Sequence, residues 1–118
     1  FWATWCAPCK RGLPKLNELY SENGSNKDDV VIYAVSIMET PAKPEDKIEK
    51  VKEYWQKQDF SVPTVVCTDD EIAKKWGISS IPMMVIIDAE GNVVQLIKGF
   101  HANMKEKIQS EITSLESS

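Results

Sequence analysis

The sequence is poor in metal-binding side chains, since it has three cysteines and a single histidine. It has no block of Lys and Arg, and its formal net charge is −4. This charge pattern argues against nucleic-acid binding as the main task. The longest apolar runs, such as MMVII from Met83, are far shorter than the roughly 20 residues of a transmembrane helix. The remaining class is a globular protein, for which 118 residues predict one domain with one core.

Phe1 stands where an initiator Met would be, and residues 1–4 are typical of the end of a strand. We therefore expect residues 1–118 to be a fragment, a single domain that begins inside its central strand. No signal peptide or membrane anchor is visible in this stretch, so either could lie upstream of it.

Hydrophobic periodicity and capping residues predict that strands and helices alternate along the chain. Helices are predicted over about 7–23, 45–58, 69–77 and 103–115, and strands over 1–4, 28–38, 62–67 and, as a hairpin, 83–99. Strands joined through a helix should be parallel with a right-handed crossover, and the hairpin adds antiparallel strands. The prediction is an α/β fold with a central mixed β-sheet and helices on both faces.

Cys6 and Cys9 are separated by two residues, and their chemistry has three interpretations. A zinc site needs about four ligands, and Cys67 and His101 would complete the set. Zinc sites usually present their cysteines from turns in two pairs, whereas this pair opens a helix. A purely structural disulfide would close so small a loop that it removes little entropy from the unfolded chain. The third interpretation, a redox centre, is the one that the local chemistry favours.

A redox centre requires a thiolate, and the start of a helix favours one. Free backbone N–H groups and the helix dipole point toward the sulfur of Cys6, and Lys10 and Arg11 add positive charge nearby. Pro8 suits the first turn of a helix, where its missing N–H costs nothing. Cys9, one turn further on, is expected to be the more buried thiol. Cys6 would therefore attack a substrate disulfide, and Cys9 would resolve the mixed disulfide.

Two segments, FWATWCAPC from Phe1 and GISSIPMMVIIDAEGNVV from Gly77, resemble the active-site and cis-proline segments of thioredoxin-fold proteins. Within that superfamily the chain most resembles the membrane-tethered, extracytoplasmic thiol reductases of the TlpA/ResA/CcmG type. The resemblance implies a thioredoxin-like fold whose N-terminal elements lie upstream of Phe1. It also implies a place outside the cytoplasm, periplasmic or tethered by an upstream membrane anchor.

The resemblance assigns supporting roles to residues around the cysteine pair. Ile81-Pro82 matches the cis-proline position, whose backbone pairs with substrate peptide; the alternative is a trans proline at a strand start. Glu39 matches an acidic residue near the cysteines, where a carboxylate would raise the thiol pKa or relay protons; the alternative is a solvated loop acid. Trp5 is expected to cover the site.

The sequence therefore predicts a thiol–disulfide oxidoreductase that reduces protein disulfides outside the cytoplasm through Cys6 and Cys9. It calls for no cofactor and no metal. The expected partners are a disulfide-bearing protein, such as an apocytochrome in cytochrome c maturation, and an upstream thiol electron donor. Two alternatives stay open. One is a non-catalytic binding module on the same fold. The other is a peroxiredoxin-like peroxidase, whose peroxidatic cysteine would be Cys67 in PTVVC. Otherwise Cys67 is expected to be a small buried hydrophobe, and His101 a capping or surface residue.

Overall fold

The computed structural model describes residues 1–40 and 42–116. Within them the predicted alternation of helices and strands is confirmed, with element ends that differ from the prediction by a few residues in most cases. The order is α1 (Ala7–Glu22), β1 (Ala34–Ser36), α2 (Pro44–Gln58), β2 (Thr64–Val66), α3 (Glu71–Lys75), β3 (Met83–Ile87), β4 (Val93–Lys98) and α4 (Met104–Glu116).

The strands form two two-stranded sheets, which the first residues of the chain connect. Residues 1–4 are not an assigned strand as predicted, but Trp2 makes an isolated parallel bridge to Ser36. β1 pairs with β2 in parallel, and β3 pairs with β4 in antiparallel fashion. The N–H of Trp2 donates to the carbonyl of Val35 at 3.0 Å, and the N–H of Ile37 donates to the carbonyl of Trp2 at 2.9 Å. On the other side, the amino group of Phe1 donates to the carbonyl of Met83 at 2.7 Å. The N-terminal segment therefore lies between β1 and β3, as the predicted central strand should.

Helices cover both faces of this sheet, because side chains that alternate along a strand point to opposite faces. Trp2 shares a core cluster with Leu13 of α1 and Val51 of α2. Ile37, one position beyond the residue that bridges to Trp2, packs instead with Ala73 of α3. The apolar stripe of α4 packs against β3 and β4 on the side that α1 also covers. The predicted sheet with helices on both faces is confirmed.

The predicted strand over 28–38 is wrong for its first half, because β1 covers only Ala34–Ser36. Val31 and Tyr33 leave 58% and 53% of their surface exposed, although the apolar pattern predicts a buried strand. The side chain of Asn26 accounts for part of the difference. Its Oδ1 accepts the N–H of Ile32 at 2.7 Å, and its Nδ2 donates to the carbonyl of Ile32 at 3.0 Å. A side chain thus occupies backbone groups that would otherwise pair with a strand.

Over residues 1–40 and 42–116, no helix has both the length and the apolar character that a membrane span requires. The longest of the helices described, α1, has 16 residues and carries several charged side chains.

Candidate active site

The two cysteines lie at the start of α1, where the sequence predicts them. Cys6 is the N-cap residue with extended backbone (φ −98°, ψ 101°), and its Sγ accepts the N–H of Cys9 at 3.3 Å. Pro8 occupies the first turn of the helix. Cys6 and Cys9 form a disulfide, with their Cα atoms 5.3 Å apart. The sulfur of Cys6 thus takes the place of a capping acceptor, where N–H donors and the helix dipole stabilise a thiolate once the disulfide is reduced.

Both cysteines are buried, and the expected contrast between them is small. Cys6 is 5% exposed and Cys9 is 2% exposed. The neighbouring Trp5 is half exposed, and its indole N–H donates to the carbonyl of Met38 at 2.7 Å. A substrate therefore reaches little of the sulfur surface directly, and the side chains and backbone around Cys6 form most of what it would contact.

The Ile81–Pro82 peptide bond is cis, as predicted. The carbonyl oxygen of Ile81 lies 3.8 Å from the Sγ of Cys6, so the loop before β3 faces the cysteine pair. Met84 of β3, which the sequence reasoning did not single out, packs against the core cluster that contains both cysteines. The backbone before the proline is therefore close enough to Cys6 to contact a peptide bound at the sulfur.

Glu39 is buried, so its interpretation as a solvated loop acid is wrong. Glu39 leaves only 6% of its surface exposed. The N–H of Thr4 donates to Oε2 at 2.8 Å, the hydroxyl of Thr4 donates to Oε1, and the hydroxyl of Ser36 donates to Oε2 at 3.0 Å. Sequence reasoning missed Thr4 and Ser36. The available signal was a hydroxyl residue near the end of each of two buried apolar segments, since a buried hydroxyl needs a partner.

The backbone at Met38 turns the chain so that Glu39 points back into the protein. Met38 has φ 58°, in the left-handed region that side chains other than glycine rarely adopt. Its carbonyl accepts the indole N–H of Trp5, and the next residue accepts the donors of Thr4. The hydrogen bonds on both sides of Met38 hold this unfavourable conformation in place.

The remaining cysteine and the histidine are not part of the Cys6–Cys9 pair, although the N–H of Cys67 donates to the carbonyl of Ser36 at 2.9 Å. Cys67 is a free, partly buried thiol, and burial, followed by the charge of Asp69, raises its pKa. His101 is exposed, and its Nε2 lies 2.7 Å from the carbonyl oxygen of Lys98. Within the described part of the chain, the structure gathers no group of three or more His, Cys, Asp or Glu that could hold a metal ion. The four residues of the zinc interpretation are therefore not brought together.

Comparison with known sequences agrees with this arrangement. A sequence profile of the thioredoxin-like family matches residues 1–93. The thiol-disulfide oxidoreductase ResA of Geobacillus thermodenitrificans is 33% identical over 116 residues, which cover 98% of this chain and 60% of the relative. ResA of Bacillus thuringiensis subsp. konkukian is 31% identical over 115 residues, with the same coverage. The chain thus spans about 60% of the length of these curated relatives.

Solved structures share the fold over nearly the whole chain. The exposed lipoprotein thioredoxin of Streptococcus pneumoniae has a TM-score of 0.77 at 28% identity, covering 98% of this chain and 81% of that one. A DsbE-type thiol:disulfide interchange protein of Chlorobium tepidum has a TM-score of 0.79 at 22% identity, covering 98% of this chain and 75% of that one. The ResA sequences support the predicted TlpA/ResA/CcmG-like subgroup, and the chain belongs to the thioredoxin-like family.

Proposed function

We propose that this chain is a thiol–disulfide oxidoreductase that reduces disulfides in protein substrates. The observation that carries the proposal is the position of Cys6 at the N-cap of α1, with the N–H of Cys9 directed at its sulfur and the Ile81 carbonyl beside it. This arrangement provides a nucleophile, a second thiol to resolve the intermediate and a backbone edge for a peptide. Similarity to ResA proteins, which are named thiol-disulfide oxidoreductases, supports the same activity.

The reaction consumes a reduced cysteine pair and regenerates the disulfide seen here. The thiolate of Cys6 attacks one sulfur of the substrate disulfide and forms a mixed disulfide, while the other substrate sulfur leaves as a thiolate and takes up a proton. Cys9 then loses its proton and attacks the Sγ of Cys6. This step releases the second substrate thiol and closes the Cys6–Cys9 bond. An upstream dithiol donor returns the two electrons to the pair.

Supporting roles follow for the residues around the pair. The backbone of Ile81, before Pro82, adds the substrate peptide as a short strand next to Cys6. Pro8 shapes the first turn of α1, and Trp5 covers the site. Glu39 sets the thiol pKa or relays a proton. Its burial and its hydrogen bonds to Thr4, two residues before Cys6, support such a role.

We further propose that residues 1–118 form one domain that works outside the cytoplasm, periplasmic or tethered to a membrane upstream of Phe1. The likeness to a pneumococcal protein described as an exposed lipoprotein thioredoxin supports this place. The substrate would be a disulfide-bearing protein, such as an apocytochrome during cytochrome c maturation. The donor would be a separate thiol protein.

Reduction of insulin disulfides by dithiothreitol tests the activity. The chain should accelerate insulin precipitation, and Cys6→Ser should abolish the acceleration. Cys67→Ser is the matched control and should act like the unchanged protein, because Cys67 is not one of the two cysteines that exchange disulfides in this scheme. No acceleration by the unchanged chain would favour the non-catalytic binding module. Consumption of hydrogen peroxide that depends on Cys67 would favour the peroxidase, although the raised pKa of Cys67 makes its thiol a poor attacking group.

A further inference from the structure

The hydrogen bonds to Glu39 are unevenly shared between its two carboxylate oxygens. Oε2 receives two donors, the N–H of Thr4 and the hydroxyl of Ser36. Among the hydrogen bonds of the described residues, only the hydroxyl of Thr4 reaches Oε1. Thr4 and Glu39 are each 6% exposed and Ser36 is 0% exposed. Water has little access to replace a donor lost here, so the hydroxyl of Thr4 decides whether Oε1 is satisfied.

Thr4 also belongs to the turn that presents the cysteine. The N–H of Cys6 donates to the carbonyl of Ala3 at 3.1 Å, which closes a turn with Thr4 and Trp5 at its centre. Thr4 is hydrogen-bonded to Glu39. The indole N–H of Trp5 donates to the carbonyl of Met38, the residue before Glu39. Both central residues of the turn are thus fixed to the same short segment after β1.

We propose that Thr4 is a positioning residue, whose hydroxyl holds the carboxylate of Glu39 against the turn that presents Cys6 and thereby sets the pH range in which Cys6 reacts. The inference rests on the proposed function, because it assumes that Cys6 is the attacking thiol. Thr4 itself touches neither the substrate nor the reacting sulfurs in this scheme; it acts through Glu39.

Loss of the hydroxyl has a predictable direction. With Oε1 left without a donor in a buried place, the carboxylate should turn away from the turn toward solvent. Its negative charge is then no longer held against Thr4, two residues before Cys6. Since a nearby negative charge opposes formation of a thiolate, Cys6 should then ionise at lower pH.

Other ionisable groups lie on the elements around the turn. They are the same in every variant of the experiment below. Lys10 of α1 sits over the ring of Tyr54, with its Nζ 5.0 Å from the ring centroid. On α2 the ammonium of Lys50 donates to the hydroxyl of Thr40, and that of Lys47 donates to the carbonyl of Thr68. The terminal amino group of Phe1, Cys67 and Asp69 are further ionisable groups on neighbouring segments. Replacing Cys67 by Ser in every protein of the experiment removes the competing thiol.

The test measures the rate at which iodoacetamide alkylates Cys6 of the reduced protein between pH 4 and 10, with the modified peptide identified by mass spectrometry. Thr4→Val should shift the midpoint to lower pH, in the direction of Glu39→Gln and by up to about one pH unit. Thr4→Ser, which keeps the hydroxyl, should restore the original profile. Thr4→Val combined with Glu39→Gln should match Glu39→Gln alone, because the two changes act through one group.

An unchanged profile for Thr4→Val, a shift to higher pH, a shift that adds to that of Glu39→Gln, or no rescue by Thr4→Ser would each overturn the proposal. Circular dichroism checks that the variants fold, and Thr4→Ala, judged by the same criteria, replaces Thr4→Val if the latter does not. Alkylation needs no substrate, so its outcome is separate from the insulin assay. A chain that fails to reduce insulin but shows these shifts would contradict the proposed function and not the role of Thr4.

Discussion

Cys6 and Cys9 differ in their position along α1 more than in their exposure. The sulfur of Cys6 is the N-cap acceptor for the N–H of Cys9, so it receives both a direct donor and the positive end of the helix dipole. Cys9 lies one turn inside the helix and is slightly more buried. Electrostatics, rather than access alone, therefore favours Cys6 as the thiolate of the proposed reaction.

Trapping experiments should separate the two thiols. With Cys9→Ser, a mixed disulfide with a substrate protein should accumulate through Cys6, because the resolving thiol is missing. With Cys6→Ser it should not. Non-reducing electrophoresis followed by peptide mapping measures both, in a background where Cys67 is Ser. Equal trapping by the two variants would contradict the assignment of Cys6 as the nucleophile.

Cys67 should behave as a slow thiol. Burial and the charge of Asp69 raise its pKa, so less thiolate is present at a given pH and alkylation should have a midpoint above the ordinary value of about 8.5. In the oxidised protein Cys6 and Cys9 are joined in a disulfide, so iodoacetamide should modify Cys67 alone. Asp69→Asn should move the midpoint part of the way down, since burial is the larger cause. A midpoint at or below the ordinary value would contradict this account.

At the scale of elements, the connection between α1 and β1 shows why β1 is short. Asn26 stands in the left-handed region at φ 62°, and its amide group binds both backbone groups of Ile32. The chain before Ala34 is therefore held by a local side chain and not by strand pairing. Ile32 and Val30 still pack inward, which explains the apolar pattern that predicts a strand.

Asn26→Ala should lower the free energy of unfolding by about 1–3 kcal/mol, because two backbone groups of Ile32 lose their partner. Asn26→Asp should cost less, since it keeps the acceptor for the N–H of Ile32. Urea unfolding followed by circular dichroism measures the difference. Ser25→Ala is the matched control, because Ser25 also has a positive φ of 53° and isolates the cost of that conformation. If Asn26→Ala lowers the free energy of unfolding no more than Ser25→Ala does, the hydrogen bonds from Asn26 to Ile32 do not stabilise this connection.

At the scale of the whole molecule, Trp2 is the residue at which several elements meet. It is 2% exposed, and its backbone bridges to β1. Its ring lies 5.5 Å from that of Tyr54 and 5.2 Å from that of Trp55 on α2. Its indole N–H donates to the hydroxyl of Thr64 on β2 at 3.3 Å. One side chain thus connects the centre of the sheet with the helix and edge strand that follow.

Trp2→Ala should therefore destabilise the protein by about 3–5 kcal/mol, the usual cost of deleting a large buried aromatic side chain. Trp5→Ala offers a matched comparison, because Trp5 is 50% exposed and makes one hydrogen bond to Met38. It should cost about 1 kcal/mol. Denaturant unfolding of both variants measures the two values, and similar losses would contradict the assignment of Trp2 to the core.

The sequence by itself determined the features whose physics is local. A cysteine at a helix start, Pro8 in the first turn and the hairpin of β3 and β4 depend on neighbours within a turn or two, so their residues predict them. The environment of Glu39 depends on Thr4, 35 positions earlier in the chain, and on a left-handed Met38 that no local pattern indicates. The length of β1 likewise depends on which groups meet Ile32 in space. Only the tertiary structure decided these, because a buried carboxylate or a backbone N–H is stabilised by whichever donors and acceptors the fold brings to it.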